Sequence, residues 1–210
     1  MYAVISPEKI EIPPGSLLQI PGTWEDYEVI SQQLGDRTIP RLKYRNGQIW
    51  FMSPLPEQGR NVSLIADTIK AILDHLGKEY EAFTPITMKL AQRSGIEPDY
   101  CFYIDNWRVA SGKKRIDWSK ELAPDLVIEI DITSYTDVND YLLYKVPEVW
   151  LFKNDTIKIY QLQSEQYLEC DHSLYFPDIK IFDLIIDCFQ TAKNCNTSTA
   201  IKQLRQKLNS

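Results

Sequence analysis

The run Pro124-Asp125-Leu126-Val127-Ile128-Glu129-Ile130-Asp131-Ile132 places three carboxylates where chemistry can be done. Leu126, Ile128, Ile130 and Ile132 alternate, and β-branched residues dominate, which predicts a strand in a buried sheet. Asp125, Glu129 and Asp131 share the other face with Val127. Adjacent same-face side chains on a strand are ~7 Å apart. Carboxylates held against a sheet core repel each other and lose hydration. A bound cation turns that cost into a use. A second acidic strand lies upstream, at Glu97-Pro98-Asp99-Tyr100-Cys101-Phe102-Tyr103-Ile104. If the two strands are neighbours, Asp99 and Glu129 can share one hard cation such as Mg²⁺ or Mn²⁺.

Such a pair is suited to phosphodiester hydrolysis. The cation polarises the phosphate and lowers the pKa of a bound water, which then attacks. Nuclease cores often put an Asp on one strand and Glu-x-Lys on the next, the lysine stabilising charge on the phosphorane. This chain supplies Pro98-Asp99 and then Glu129-Ile130-Asp131, with Asp131 at the lysine position. As a bare pattern this is weak, because Pro-Asp and Glu-x-Asp occur by chance in many proteins. Asp125, at the strand start, reads more simply as the residue that holds the turn.

The elements that must position these residues follow from the rest of the chain. Pro13-Pro14 and Pro21-Gly22 punctuate an N-terminal arm over 1–22. Thr23-Trp24-Glu25-Asp26 reads as a helix N-cap with early acidic residues, opening a short helix that ends near Gly35. Arg41 to Arg45, Asn46-Gly47 and Gln48 to Met52 form a hairpin signal, since Asn-Gly suits a type I′ turn. Ser53-Pro54-Leu55-Pro56 breaks the chain before the longest helix, near Gly59 to Gly77. Its apolar residues, from Val62 and Ile65 to Ile72 and Leu76, form one stripe at helical period. His75 falls at the edge of that stripe or on its solvent side.

Three strands are expected at Thr87 to Leu90, Asp99 to Ile104 and Asp125 to Ile132. Trp107 to Ala123 reads as polar loop. A short helix follows over Asp137 to Lys145. A hairpin comes next, at Val149 to Phe152 and Thr156 to Leu162, with a further strand near Tyr167 to Cys170. An amphipathic helix over Asn196 to Leu208 ends the chain. This order predicts an α/β (α+β) fold, a central mixed sheet flanked by helices. The expected division is an arm over 1–22, a main domain over 23–190 and a C-terminal helix over 191–210.

At 210 residues, 44% hydrophobic and 25% charged, the chain has the composition of an ordinary globular domain. No apolar run approaches the ~18 residues needed to span a bilayer. Met1 to Lys9 lacks a basic start followed by an apolar block, so no secretory signal and a cytoplasmic location are expected. The four cysteines show no C-x-x-C spacing, and two histidines are too few for a zinc site. Free thiols are expected. A net charge of −6 argues against a protein that coats nucleic acid by bulk charge, but not against a nuclease with an acidic metal site and a local basic rim. Arg108, Lys113, Lys114 and Arg115 are the candidate rim, against a plainer reading as a solvated loop.

Joined together, three blocks resemble the Uma-two family of restriction-endonuclease-like proteins, abundant in cyanobacteria. They are Ile96 to Ile104, Ala123 to Ser134 and Val146-Pro147-Glu148-Val149-Trp150-Leu151-Phe152. Thr23-Trp24-Glu25-Asp26-Tyr27 and Met52-Ser53-Pro54-Leu55-Pro56 fit the family's order upstream. The resemblance spans Thr23 to Leu162. It implies a restriction-endonuclease-like core of the PD-(D/E)XK superfamily, a divalent metal on Asp99 and Glu129, and a DNA substrate. It also exposes departures. With Asp131 at the lysine position, a migrated lysine is expected, Lys145 first and Lys89 second, each also readable as an ordinary surface lysine. Many relatives carry a glutamate in the second hairpin strand and a histidine after the Pro-x-Pro turn. Here Trp50 and Gln58 stand instead, with Glu57 as a nearby acidic substitute.

Three functions compete. The first is a Mg²⁺-dependent DNA endonuclease with Asp99, Glu129 and Lys145 as catalytic residues, for which cutting both strands favours a two-fold dimer. The second is a non-catalytic module on the same fold that holds nucleic acid or protein. The third is an oligomerising domain using Trp150, Phe152, Tyr160 and Tyr167 as an exposed aromatic face, against the plainer view that these are core.

Overall fold

The structure, a computed structural model, describes residues 11–35, 37, 39–132 and 136–209. Met1 to Lys9, read above for a leader, and Thr133-Ser134 of the second motif block lie outside the described residues. Two sheets organise the chain. The first is mixed, with six strands in the order β11 (Gln166–Cys170), β10 (Thr156–Gln163), β9 (Glu148–Lys153), β8 (Leu126–Asp131), β7 (Tyr100–Tyr103) and β4 (Glu81–Phe83). Only β8 and β9 run parallel, joined through a 3₁₀ helix at Val138–Tyr144. The second sheet is antiparallel, with five strands in the order β1 (Leu17–Pro21), β3 (Gln48–Met52), β2 (Arg41–Arg45), β6 (Ser94–Ile96) and β5 (Met88–Leu90). The mixed sheet with flanking helices is the expected core. The Asn46-Gly47 hairpin and Met88–Leu90 build the separate second sheet.

The alternation in β8 sorts its residues as expected. Leu126, Ile128 and Ile130 join Tyr100, Phe102, Trp150 and Phe152 on one face of the mixed sheet. Against that face lies α2 (Pro56–His75), through Val62, Ile65, Ile69, Ile72 and Leu73. Pro56 takes the first helical position, where its missing N–H costs nothing. His75 is exposed. Burying a set of such side chains stabilises the layer by roughly 1.5–3 kcal/mol each. A helix absent from the sequence reading, α4 (Ile181–Asn194), packs on the same core. Behind it, α5 (Thr197–Leu208) meets α4 and α2 through Ala200, Leu204 and Cys188. The cap of α5 is Asn196, whose Oδ1 accepts from the Thr199 N–H at 2.9 Å.

On the second sheet, α1 (Trp24–Leu34) starts from a Thr23/Asp26 capping box and covers one face. Trp24 and Tyr27 pack there with Leu42, Tyr44, Ile49 and Phe51. Asn46 (φ 49°) and Gly47 (φ 72°) both adopt the left-handed conformation that the type I′ turn requires. Since strand residues alternate faces, Arg41, Lys43 and Arg45 point away from α1. That single alternation puts a basic row on the side that faces the mixed sheet.

Three expectations change. Leu17–Pro21, within the expected arm, is a strand paired with β3, because its backbone completes the hairpin's open edge. The polar segment after Ile104 opens with a short helix, α3 (Trp107–Ala110). The aromatic face is not exposed. Trp150 and Phe152 are 1% and 5% exposed, and Tyr160 and Tyr167 are partly buried against a second core. The four cysteines are free thiols, as expected.

Candidate active site

The pairing of β7 with β8 sets Tyr100 opposite Ile128 and Cys101 opposite Val127. Asp99 immediately precedes β7, where the ladder ends, and its charge acts on Glu129 of β8. Both acids lie on the Val127 face, away from α2. Asp99 is buried and well held. Its Oδ2 accepts from the Ile130 N–H at 2.8 Å, and Gln58 Nε2 reaches its two oxygens at 3.1 and 3.2 Å. The Arg41 guanidinium forms an ion pair with Asp99 Oδ1. Glu129 accepts from the hydroxyl of Tyr141, carried by the 3₁₀ helix.

Burial pushes the Glu129 carboxyl well above the ordinary carboxylate range, and the Asp99 charge pushes it the same way. The Tyr141 hydrogen bond and the Lys43 charge work against that rise. Burial, with Glu129 beside it, also raises the Tyr141 phenol.

Glu129 and Tyr141 open onto a cavity of about 500 Å³ bordered by both sheets. Its other wall is the polar face of the hairpin: Arg41, Lys43 and Arg45 of β2, with Gln48 and Trp50 of β3. The basic row meets acids across the gap. Arg41 pairs with Asp99, Lys43 with Asp140, and Arg45 with Asp137 at 2.7 Å and with Asp140. The Lys43 ammonium also lies 5.5 Å from the centre of the Trp50 ring.

Other candidates fall elsewhere. Lys145 ends the 3₁₀ helix in a left-handed conformation, is exposed, and does not line this cavity. Lys89 donates to Ser31 Oγ at 2.9 Å and covers the Tyr27 ring. Among the described residues, the lysine lining the cavity with Glu129 is Lys43, which the sequence reading missed. Its only sequence signal is the alternation Arg41-x-Lys43-x-Arg45. Asp125 holds a turn, accepting from the Ile104 N–H at 2.6 Å, the Asn106 N–H at 3.0 Å and Asn106 Nδ2 at 2.8 Å. Glu57 is exposed in the first turn of α2, whereas the neighbouring Gln58 is the residue that reaches Asp99. In the basic loop, Arg108 stacks over Trp107 and Lys113 pairs with Glu121. Lys114 and Arg115 are exposed beside Trp118 in a separate surface pocket.

A family model described as "Putative restriction endonuclease" matches residues 24–181, three quarters of the chain and all of the elements that form this cavity's acidic side. The chain belongs to the Uma2 family. A solved structure described as a "putative nuclease" of DUF820 from Anabaena variabilis ATCC 29413 is similar in fold, with a TM-score of 0.53. It is 16% identical and the match covers 79% of this chain and 99% of that one. No curated protein matches. The nuclease-like fold of this Uma2 member is thereby assigned.

The metal that the family implies can be tested against the donors present. Asp99 and Glu129 supply hard oxygen ligands on adjacent strands. Mg²⁺ commonly takes one or two protein carboxylates and fills its remaining positions with water and phosphate. Two carboxylates therefore suffice, although among the described residues no group of three or more His, Cys, Asp and Glu is placed to hold an ion. Gln58 Oε1 is buried without a hydrogen-bond partner, and water on a cation at Asp99 would donate to it. The residues fit a divalent cation, provided Arg41 leaves Asp99.

Proposed function

We propose that this Uma2 protein is a divalent-metal-dependent DNA endonuclease that hydrolyses phosphodiester bonds. The observation carrying the reading is Asp99 at the start of β7 acting on Glu129 of β8, beside a cavity walled by a basic strand face. In this reading Asp99 and Glu129 hold Mg²⁺ or Mn²⁺. When bound, the cation supplies a lowered water pKa and polarisation of the phosphate. Gln58 and the Ile130 amide hold the Asp99 carboxylate in one orientation. Tyr141 does the same for Glu129. Lys43 faces the phosphate and stabilises charge developing on its oxygens, the role first expected of Lys145. Trp50 gives the cavity an apolar surface against which a sugar or base can lie. Cleavage of both strands would call for a two-fold pair of chains. A cytoplasmic location accords with a DNA substrate, and no helix of the described residues is long and apolar enough to cross a membrane.

The test is plasmid nicking in Mg²⁺ or Mn²⁺ by the wild type and by Glu129→Ala, beside calorimetric metal titration of the wild type and Asp99→Asn. Cleavage lost in the first variant and metal affinity lost in the second support the reading. Equal cleavage by wild type and Glu129→Ala assigns the activity to a contaminant and overturns it. The Arg41–Asp99 ion pair favours a second reading, a non-catalytic module that binds DNA in the same cavity. DNA retained by the wild type without cleavage in either metal selects that reading.

A further inference from the structure

Asp99 already has a cation. Its side chain is 2% exposed, and a carboxylate so buried requires a counter-charge. The Arg41 guanidinium, 15% exposed, supplies it from the facing sheet. Arg41 also lines the 500 Å³ cavity, so its head group has space to move to. With the Ile130 amide, Gln58 and Arg41 all on Asp99, no oxygen of that carboxylate is left without a donor. A guanidinium and a hydrated divalent cation cannot occupy the same oxygen together. The two carry the same kind of charge and answer the same need.

We propose that Arg41 and the divalent cation compete for Asp99, and that the displaced guanidinium passes to a substrate phosphate in the cavity. The proposal rests on the metal-dependent reading above and adds a coupling to it. Guanidinium matches phosphate as well as carboxylate, with two parallel N–H···O bonds in either case. A phosphate that holds Arg41 lowers the cost of freeing Asp99, and a cation on Asp99 frees Arg41 for the phosphate. Metal and DNA then bind cooperatively, each strengthening the other by the same factor. Without DNA, Arg41 weakens metal binding at the site.

The experiment is calorimetric titration of the full chain with Ca²⁺, alone and in the presence of a short DNA duplex. In the wild type the duplex should raise Ca²⁺ affinity by about ten-fold. In Arg41→Gln, Ca²⁺ alone should bind about ten-fold tighter than in the wild type, and the duplex should raise that affinity by less than it does in the wild type. Arg41→Lys keeps the charge but loses the fork, so its Ca²⁺ affinity should fall between the two. This variant carries the test if Arg41→Gln does not fold. A Ca²⁺ affinity in the folded variants equal to or weaker than the wild type's overturns the competition and leaves the metal site standing. Absence of Ca²⁺ binding in wild type and variants alike overturns both the competition and the metal-dependent reading.

Discussion

Asp131, at the end of β8, holds Thr136 through its carboxylate. The Asp131 carboxylate accepts from the Thr136 N–H at 2.9 Å and from its hydroxyl at 2.7 Å. Lys153 of the parallel neighbour β9 approaches the same carboxylate at 3.6 Å. Asp131 stands two residues after Glu129, where the Glu-x-Lys pattern has its lysine. Its work here is to fix the chain entering the 3₁₀ helix that carries Tyr141. The lysine that lines the cavity with Glu129, Lys43, stands instead on the other sheet.

Lys43→Met should lower the rate of DNA cleavage by about 10²–10³-fold, the usual cost of removing one charge-stabilising donor. Metal affinity should change little, because in the proposed site the lysine meets the phosphate rather than the cation. Lys145→Ala should cleave as fast as the wild type. Single-turnover cleavage beside metal titration checks all three, and the reverse pattern would return the role to Lys145.

Glu129→Gln should stabilise the metal-free protein. The ionised carboxyl is disfavoured in the folded state by burial and by Asp99, so a neutral amide of the same shape removes an unfavourable charge. The sign with pH follows from linkage. An unfolded glutamate ionises near ~4.3, and the folded one ionises higher. Between those values the native wild type binds more protons, so its stability falls as pH rises. The variant's melting advantage should be absent below pH ~4 and should grow above it. Thermal melts in chelator across pH measure this directly, and a constant difference would refute it.

Asp125→Ala should destabilise the fold by about 3 kcal/mol or more without removing the metal site. Three donors converge on that buried carboxylate, and bonds to a charged acceptor contribute roughly 1.5–3 kcal/mol each. Denaturant unfolding with and without metal separates the effects. The metal-induced stabilisation should survive in the variant.

Gly95→Ala should cost roughly 1–3 kcal/mol, as overpacking does. A Cβ at Gly95 would fall inside contact distance of the Tyr27 ring, Cε1 lying 2.8 Å away. Tyr27 is fully buried and docks α1 on the sheet, so the ring has no free direction in which to retreat. Chemical denaturation would report the loss, and Tyr27→Leu should relieve part of it.

The parts of this fold that were legible were those written in local pattern. The alternation from Leu126 to Ile132 announced β8 and its polar face, and the stripe from Val62 to Leu76 announced α2, although Leu76 itself is exposed past the helix end. Asn46-Gly47 announced the hairpin. The helix α4 was not legible because it begins with Ile181, Phe182, Ile185 and Ile186, a β-rich apolar set, and Lys180 gives no side-chain cap. The strands β4 and β6 are three residues each, too short for a period to show. That Asp99 and Glu129 come together was legible from strand chemistry. Arg41 and Lys43 were not, since Arg41 reaches Asp99 in the other sheet and Lys43 reaches Asp140 of the 3₁₀ helix, 58 and 97 positions away along the chain. On sequence they look like the wet side of a hairpin.

The register between β7 and β8 ties the acidic pair to the core. Strand side chains alternate, so a slip of one residue would turn Glu129 toward α2 and bring Ile128 or Ile130 to the cavity. The aliphatic face that excludes this slip is the one packed on α2. A molecule misaligned by one step would thus lose its hydrophobic layer and its ligands together. If Asp99 and Glu129 hold a cation as proposed, measured metal binding counts only correctly paired chains, and the cation becomes a titrant for native β-pairing as well as for the site.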